Sequence, residues 1–411
     1  MKKKILIFIL CIAFLACFIP LVLALARSYP SAITYQHSNY AATSNGMYYI
    51  TGNFLKYYDY AAKKAVALCS KPDCSHTSTD CNAYYNCQGS ADLLLYDGYL
   101  FISYFNVEIV GFDNNTNDVL QDSAICLEQC QLDGSKRRVI YQADNGAVLS
   151  MMAKDGFLYY TTYTNDTSDR NWKQQNNHLF RYNLRFHHTK ELASYSSNED
   201  QSSASLQWVC GRNISTSSHL LYTYTDKENH SLSQLSTLIE KDKISPLSDP
   251  LSIEEIWSAR NLYQYEDTFY VMGSAASDTD SDVFTLGILL EDGTIQKLLT
   301  AANATGTAFE DYIEISIDDT SHLLYNLPDH TAYVSKYIAT GEEVNVPDLL
   351  GLLEEDNICY FDSTDYTGIE IGHVFTSDPT TPSSMSFDEY LDQYFVRVEQ
   401  GIPTGAFELC Q

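Results

Sequence analysis

The chain reads Asp155-Gly156-Phe157-Leu158-Tyr159-Tyr160 near its middle, a tight-turn dipeptide followed by aromatic and aliphatic residues. Asp-Gly favours the turn of a β-hairpin, and Phe, Leu and Tyr favour strands. A second candidate strand, His178-Leu179-Phe180-Arg181-Tyr182, follows the polar insertion Thr164–Asn177. Together, the turn and the two strands predict a small antiparallel sheet.

This module recurs along the chain. Its copies start near residues 46, 98, 156, 219, 268, 322 and 358, the last at Ile358-Cys359-Tyr360-Phe361. Such a small sheet cannot bury both of its faces alone, so the copies must stack around an axis. We therefore predict an all-β fold, a β-propeller of about seven blades (six to eight) over residues 41–411. Two β-sandwich domains are the alternative.

Residues 1–26 have the composition of a membrane-targeting segment. Lys2, Lys3 and Lys4 precede an uncharged apolar run from Ile5 to Ala26. The run is long enough for a helical signal anchor, while Ala24-Leu25-Ala26 fits the cleavage site of a signal peptide. Lipidation at Cys17 is a third interpretation. Each interpretation places a linker at 27–40 and the propeller on the extracellular face of the membrane, anchored or secreted after cleavage near Ala26.

The charge of the chain excludes one class of partner. There are 53 acidic and 25 basic residues, and the formal net charge of −28 becomes −31 once the three lysines of residues 1–26 are left out. A nucleic-acid partner is excluded, since binding it requires basic side chains that displace counterions. With 45% hydrophobic residues the chain can form a large core, and its 32 Tyr suit half-exposed strands and binding surfaces.

Four of the eleven cysteines fall within residues 69–87: Cys69, Cys74, Cys81 and Cys87. In an exported chain this density predicts a disulfide-bonded loop. The alternative is a zinc site formed by Cys69, Cys74, His76 and Cys81, because thiolate and imidazole are zinc ligands. The spacing lacks the paired C-x2-C knuckles of common zinc folds, so no metal and no cofactor is expected here.

Two further cysteines, Cys126 and Cys130, lie on a candidate strand from Ile125 to Leu132. Four strand residues span about 13 Å, whereas the two Cα atoms of a disulfide lie within about 7 Å. Each is therefore predicted to pair with the nearby cysteine cluster. Nine cysteines follow the targeting segment, an odd number, and Cys410 is the expected free thiol.

One run of the sequence supports a family resemblance. Leu68-Cys69-Ser70-Lys71-Pro72-Asp73-Cys74-Ser75-His76, continued by Cys81-Asn82-Ala83-Tyr84, resembles a motif of exported propeller proteins of Gram-positive gut bacteria. These are the uncharacterised DUF5050-type propellers, which are similar to TolB and to the propeller of the low-density-lipoprotein receptor. The resemblance implies a propeller at the cell surface and no known activity.

Few residues suggest chemistry. Asp278, Asp280 and Asp282 alternate as in a calcium loop, but Val283 and Leu289 stand where such a loop has its glycine and its distal acid, which favours a solvated acidic loop. Trp172, in the Thr164–Asn177 insertion, is the candidate ligand-binding residue.

Two functions follow from the sequence. The first is a membrane-tethered binding or sensing module for a glycan, a peptide or a partner protein, in contact with the membrane only through its N-terminal segment. The alternative is a secreted carbohydrate-active or peptide-active hydrolase or lyase with a carboxylate or metal site in the propeller channel. No catalytic motif is recognised in the sequence, so binding without turnover is favoured.

Overall fold

The computed structural model describes most of the chain after residue 27. The described residues are 28–38, 40–87, 91–113, 118–144, 146–165, 175–196, 202–212, 218–225, 231–239, 243–246, 262–275, 283–347, 349–353, 358–362, 370–371, 374–375, 382–399 and 404–410.

Six antiparallel sheets of at least four strands follow one another along the chain, and each is one blade of a β-propeller. Their consecutive strands are, in blade 1, Tyr40–Thr43, Gly46–Thr51, Phe54–Asp59 and Lys64–Ala67; in blade 2, Ala91–Tyr96, Tyr99–Asp113, Asp118–Gln131 and Arg138–Ala143; in blade 3, Ala147–Lys154, Phe157–Asn165, Gln175–Asn183 and His188–Ser196; in blade 4, Ser202–Trp208, Ser218–Thr225, Ser231–Ile239 and Lys243–Pro246; in blade 5, Leu262–Tyr265, Thr268–Ala275, Val283–Leu289 and Ile295–Ala302; and in blade 6, Thr305–Phe309, Tyr312–Asp318, Ser321–Asn326 and Ala332–Ser335.

Short strands from elsewhere in the chain extend four of these blades. Thr34–Tyr35 pairs with the first strand of blade 3, and His37–Ser38 pairs with the first strand of blade 2. Cys210–Arg212 pairs in parallel with the first strand of blade 5, whose last strand pairs with Phe407–Leu409. Phe395–Arg397 pairs with the last strand of blade 6. Residues 28–38, expected to be linker, therefore contribute strands to two blades.

The predicted all-β propeller is confirmed. The described residues form six blades, so the best count of seven was wrong, and six is the lower end of the predicted range. The seventh predicted copy, from Ile358, belongs to a three-stranded sheet of Leu349–Leu353, Ile358–Asp362 and Pro382–Ser386. Its strand Ile358–Asp362 pairs with a strand twenty residues further on rather than with a closely following hairpin. The remaining elements are the two-residue strands Glu370–Ile371 and Val374–Phe375 and the helices Lys336–Thr340 and Phe387–Tyr394.

The first strands of blades 1 to 4 lie closest to the propeller axis. The first strands of blades 1 and 2 contact each other, as do those of blades 2 and 3 and of blades 3 and 4. Leu349–Leu353 of the three-stranded sheet contacts the first strand of blade 1. The strands Thr34–Tyr35 and His37–Ser38 therefore run along the inner edges of blades 3 and 2.

Apolar cores fill the spaces between successive blades. Leu100 and Ile102 of blade 2 pack with Leu55 of blade 1 on one side of their sheet, while Leu94 and Phe101 pack with blade 3 on the other. Comparable clusters join blades 3 and 4, blades 4 and 5, and blades 5 and 6. Blades 2 to 5 therefore bury both faces against a neighbouring blade, as the predicted stacking requires.

Two of the predicted Asp-Gly turns have the backbone of tight hairpins. Asp97 and Gly98 have φ angles of 48° and 75°, and Asp155 and Gly156 have 52° and 79°. Positive φ at both central residues is the type I′ turn, which matches the twist of the flanking strands. These turns connect the first and second strands of blades 2 and 3.

No helix among the described residues is long and apolar enough to cross a membrane. The predicted targeting segment, residues 1–26, lies outside the described residues.

We expect Leu158→Ala to lower the free energy of unfolding by about 2–5 kcal/mol, because it opens a cavity in a packed core. Leu158 is fully buried between blades 2 and 3. Leu290→Ala is the control, since Leu290 is 41% exposed, and should change stability by less than about 0.5 kcal/mol. Chemical denaturation measures both. An unchanged midpoint for Leu158→Ala would contradict the shared core.

Candidate metal centre

The loop between blades 1 and 2 carries the clustered cysteines. It leaves blade 1 at Ala67 and enters blade 2 at Ala91. Leu68 N donates to Leu55 O at 3.0 Å, and Leu55 N donates to Ala83 O at 2.8 Å. These hydrogen bonds hold both arms of the loop against the same strand of blade 1.

Four side chains of this loop converge on one small volume. One ligand atom each from Cys69, Cys74, His76 and Cys81 lies within 4.8 Å of all the others. The Sγ atom of Cys81 and Nδ1 of His76 are 3.5 Å apart. Cys81 is buried and the other three are half-buried. Three sulfur atoms and one imidazole nitrogen therefore surround a space the size of a single ion.

Two turns of the backbone bring these residues together. The first, Lys71–Cys74, contains Pro72 and closes with a hydrogen bond from Cys74 N to Lys71 O at 3.4 Å. The second, Ser78–Cys81, closes with a hydrogen bond from Cys81 N to Ser78 O at 3.0 Å. Proline favours such turns because its ring fixes φ. The turns fold a loop with no strand of its own into a compact cluster.

The thiols of Cys81 and Cys69 differ in how strongly they hold their protons. Burial raises the pKa of Cys81, and its hydrogen bonds with Cys74 and Cys69 raise it further. Burial also acts to raise the pKa of Cys69, but hydrogen bonds from the backbone at Lys71 and Asn82 and from the two other thiols outweigh it, so that its pKa falls below the ordinary value. The cluster therefore favours a thiolate at Cys69.

The spacing of the four ligand atoms fits a tetrahedral zinc ion. Zinc binds sulfur at about 2.3 Å and imidazole nitrogen at about 2.0–2.1 Å, which puts two sulfurs about 3.8 Å apart and a sulfur and a nitrogen about 3.6 Å apart. The distance of 3.5 Å between Sγ of Cys81 and Nδ1 of His76 is within about 0.1 Å of the expected sulfur–nitrogen distance. The four ligand atoms lie within 4.8 Å of one another, and this limit exceeds the expected sulfur–sulfur distance by about 1 Å. A small rotation of a cysteine side chain would close that difference.

Arg137 ties the cysteine loop to blade 2. Its Nε donates to Oε2 of Glu128 at 2.8 Å, and its Nη1 donates to the carbonyl oxygen of Tyr84 at 2.8 Å. Its guanidinium lies 3.9 Å from the ring centroid of Tyr85. Glu128 is buried and also accepts a hydrogen bond from the hydroxyl of Tyr104 at 2.7 Å. One cation thus connects the end of the loop to the third strand of blade 2.

A close backbone contact fixes the start of the loop. Gly134 has a φ of 75°, and a Cβ at this position would lie 2.0 Å from the carbonyl oxygen of Leu68. A side chain would clash here, so the turn of blade 2 approaches the loop closely only because residue 134 is glycine.

Three of the other cysteines are buried between blades 1 and 2, and Cys410 is exposed. Cys126 and Cys130 are on the strand Asp118–Gln131, as predicted, and are buried with Cys87 between blades 1 and 2. The hydroxyl of Tyr85 donates to Sγ of Cys130 at 3.8 Å. Cys410, the expected free thiol, is exposed. No disulfide joins the cysteines of the described residues, and the predicted disulfides stay predictions.

The other predicted site residues are the three aspartates of the acidic loop and one tryptophan. Asp278, Asp280 and Asp282 lie outside the described residues, and so does Trp172.

The pair of Glu128 and Arg137 was not foreseen from the sequence. A signal for it was present, because Glu128 stands midway between Cys126 and Cys130 and therefore shares their face of the strand. A carboxylate on a buried face requires a cationic partner, and Arg137 follows in the next turn.

We expect Arg137→Ala to lower the free energy of unfolding by about 2–4 kcal/mol, because it leaves the buried Glu128 carboxylate without its cation. Lys297→Ala is the control, since Lys297 is exposed on the last strand of blade 5, and should cost less than about 0.5 kcal/mol. Arg137→Lys should fall between them, because lysine lacks the planar fork. Equal losses for Arg137→Ala and Lys297→Ala in thermal denaturation would contradict this assignment.

Comparisons with known proteins leave the family of the chain open. No family model matches the chain, and no curated protein matches it. Among solved structures, the extracellular domains 1–2 of Drosophila semaphorin 1a are similar, with a TM-score of 0.27 and 12% sequence identity over 88% of either chain.

Proposed function

We propose that this protein is a binding propeller whose loop between blades 1 and 2 is folded around a structural zinc ion. The observation that carries the proposal is the convergence of Cys69, Cys74, His76 and Cys81 within 4.8 Å. Soft thiolate donors select zinc over magnesium and calcium, which prefer oxygen. Four protein ligands complete a tetrahedron and leave no position for water or substrate, so the ion acts on structure rather than in catalysis.

The ion compensates for the lack of a core in this loop. Between Ser70 and Asp80 nine of the eleven residues are exposed, the exceptions being Cys74 and His76. A segment with so little apolar burial gains its order from crosslinks, either disulfides or a metal. A zinc ion would hold the two turns together and present their exposed side chains as a fixed surface at the rim of blade 1.

Binding is the activity that best suits the rest of the molecule. A rigid propeller that carries variable loops suits recognition of a partner, and the strongly negative charge favours neutral glycans, cationic peptides or a protein over anionic polymers. The targeting segment at residues 1–26 supports a position on the extracellular face of the membrane. A secreted hydrolase or lyase is the second candidate, and it requires carboxylates or a metal that converge in the propeller channel.

Oxidation competes with zinc for the same thiols. An exported protein meets an oxidising environment, which favours the disulfide-bonded loop predicted from the sequence. Zinc requires Cys69, Cys74 and Cys81 to be thiolates, so the two states exclude each other at this site. The ratio of bound zinc to free thiols therefore distinguishes them.

We expect the protein, purified without chelator, to bind one zinc ion per chain, and Cys74→Ser to abolish this binding by removing one of four ligands. Cys410→Ser removes an exposed cysteine far from the loop and should keep the ion. Elemental analysis together with thiol titration measures both variants. Removal of zinc by a chelator should lower the melting temperature of the parent protein and leave that of Cys74→Ser unchanged.

Two outcomes would contradict this proposal. One is a chain without zinc in which non-reducing peptide mapping finds no free thiol between Cys69 and Cys87, which would support the disulfide-bonded loop. The other is equal zinc content in Cys74→Ser and the parent protein.

The binding function has its own test. On glycan and peptide arrays we expect the protein to retain a neutral or cationic ligand, and Trp172→Ala to weaken retention by about tenfold through the loss of an aromatic contact. Phe186→Ala, an aromatic residue of another loop, is the control. Turnover of the ligand that is abolished by a single carboxylate substitution would favour the hydrolase or lyase instead.

A further inference from the structure

The turns that follow the first and third strands of the blades lie at one end of the propeller. Strands alternate in direction within a blade, so the turns after its first and third strands share an end, which we call the turn face. On the described turn face these turns are 44–45 and 60–63 in blade 1, 97–98 and 132–137 in blade 2, 155–156 and 184–187 in blade 3, 266–267 and 290–294 in blade 5, and 310–311 and 327–331 in blade 6.

Charge is segregated across the turn face. In blades 1 to 3 the turns and the strand residues beside them carry seven cations against four carboxylates; the cations are Lys63, Lys64, Lys136, Arg137, Arg138, Lys154 and Arg185, and the carboxylates are Asp59, Asp97, Asp133 and Asp155. The corresponding positions of blades 5 and 6 carry no Lys or Arg and seven carboxylates: Glu266, Asp267, Glu291, Asp292, Glu310, Asp311 and Asp329. A basic half is unexpected in so acidic a chain.

The basic half also exposes apolar side chains. Phe186 is 59% exposed in the third-strand turn of blade 3, and Val139 is 52% exposed just after the corresponding turn of blade 2. The two turns are neighbours. The hydroxyl of Tyr182 lies 3.1 Å from Oε1 of Gln129, at the end of the third strand of blade 2, and 2.7 Å from Nδ1 of His187 in the turn of blade 3. An exposed aromatic ring among cations is a combination that suits the interface of a lipid bilayer.

The N-terminal end of the described chain is fixed to this same half. Asp155 N donates to the carbonyl oxygen of Pro30 at 3.0 Å, and the hydroxyl of Tyr96 donates to the same oxygen. The ring of Tyr29 lies 5.6 Å from the guanidinium of Arg185. Three residues lie between Ala26, the end of the apolar run, and Pro30, and the four steps from one Cα atom to the other span at most about 14 Å. An anchor in residues 1–26 would therefore hold the basic half close to the membrane.

We propose that the basic half of the turn face, which includes the exposed Phe186 of blade 3, rests on a bilayer that contains anionic phospholipid. The sequence predicts contact with the membrane only through the N-terminal segment, and this surface adds a second contact. This proposal rests on the membrane tether that is part of the proposed function. Lys136 and Arg138 supply electrostatic attraction of about fivefold in affinity each, while the acidic turns of blades 5 and 6 tilt away from the lipid. The opposite end of the propeller is then the end presented to a ligand.

The test uses the full chain in nanodiscs of brominated lipid. Phe186→Trp places a reporter in the basic half, and Leu290→Trp is the matched control, because Leu290 is an exposed apolar residue in the third-strand turn of blade 5. We expect tryptophan fluorescence of Phe186→Trp to be quenched with 30% phosphatidylglycerol and not with phosphatidylcholine alone. Leu290→Trp should show no such difference.

A second comparison isolates the charges. The two substitutions Lys136→Glu and Arg138→Glu are added to the Phe186→Trp variant. They should lower the equilibrium constant for contact between the basic half and the bilayer at least 25-fold, and so abolish the quenching. Lys297→Glu with Lys336→Glu changes the net charge equally at positions away from the turn face and should preserve it. A chain that does not co-purify with nanodiscs would contradict the tether. A chain that co-purifies but shows equal quenching at positions 186 and 290 would overturn the docking surface alone.

Discussion

Apolar contact between neighbouring sheets is the interaction on which the rest of this structure depends. Each blade has hydrophobic residues on both faces, so a single blade in water would leave one face exposed whichever way it packed. The six sheets meet this constraint by sharing their cores in sequence, as Leu55 of blade 1 does with Leu100 and Ile102 of blade 2. Because the cores hold the blades rigidly, the connecting loops are free to carry polar and reactive side chains.

The cysteine loop shows how such a loop depends on the blades beneath it. Its arms are hydrogen-bonded to Leu55 of blade 1, while Arg137 and Gly134 of blade 2 fix its far end and its start. The four ligand residues are thus positioned by two sheets that share one core. A substitution that separates blades 1 and 2 would therefore remove the contacts of Arg137 and Gly134 with this loop, although no residue of the cysteine cluster had been changed.

Local patterns in the sequence predicted the strands well, and pairing between distant strands explains most of what they missed. Asp155-Gly156 followed by an aromatic run is a hairpin signal that the structure confirms. The sixth predicted copy, from His322, turned out to be the third strand of blade 6, because Tyr312–Asp318 precedes it in the same sheet. The seventh failed because nothing in Ile358–Phe361 indicates that its next partner lies at Pro382–Ser386. Cys69, Cys74, His76 and Cys81 were grouped from the sequence as a zinc alternative to disulfides, and the structure brings them together. The contact of Arg137 with their loop could not be predicted without the fold.

The strand pairing at the two ends of the chain also sets an order for folding. Thr34 pairs with Ala153, and Phe407 pairs with Ala301, so the first strand waits for blade 3 and the last completes blade 5 after blade 6 has been made. Pairings this distant in sequence are slow to form, because the intervening chain must lose its freedom first. A chain that folds as it is synthesised would therefore hold an incomplete edge on blade 5 until residues 407–409 had been made, and protection of that edge would matter more than the speed of any single blade.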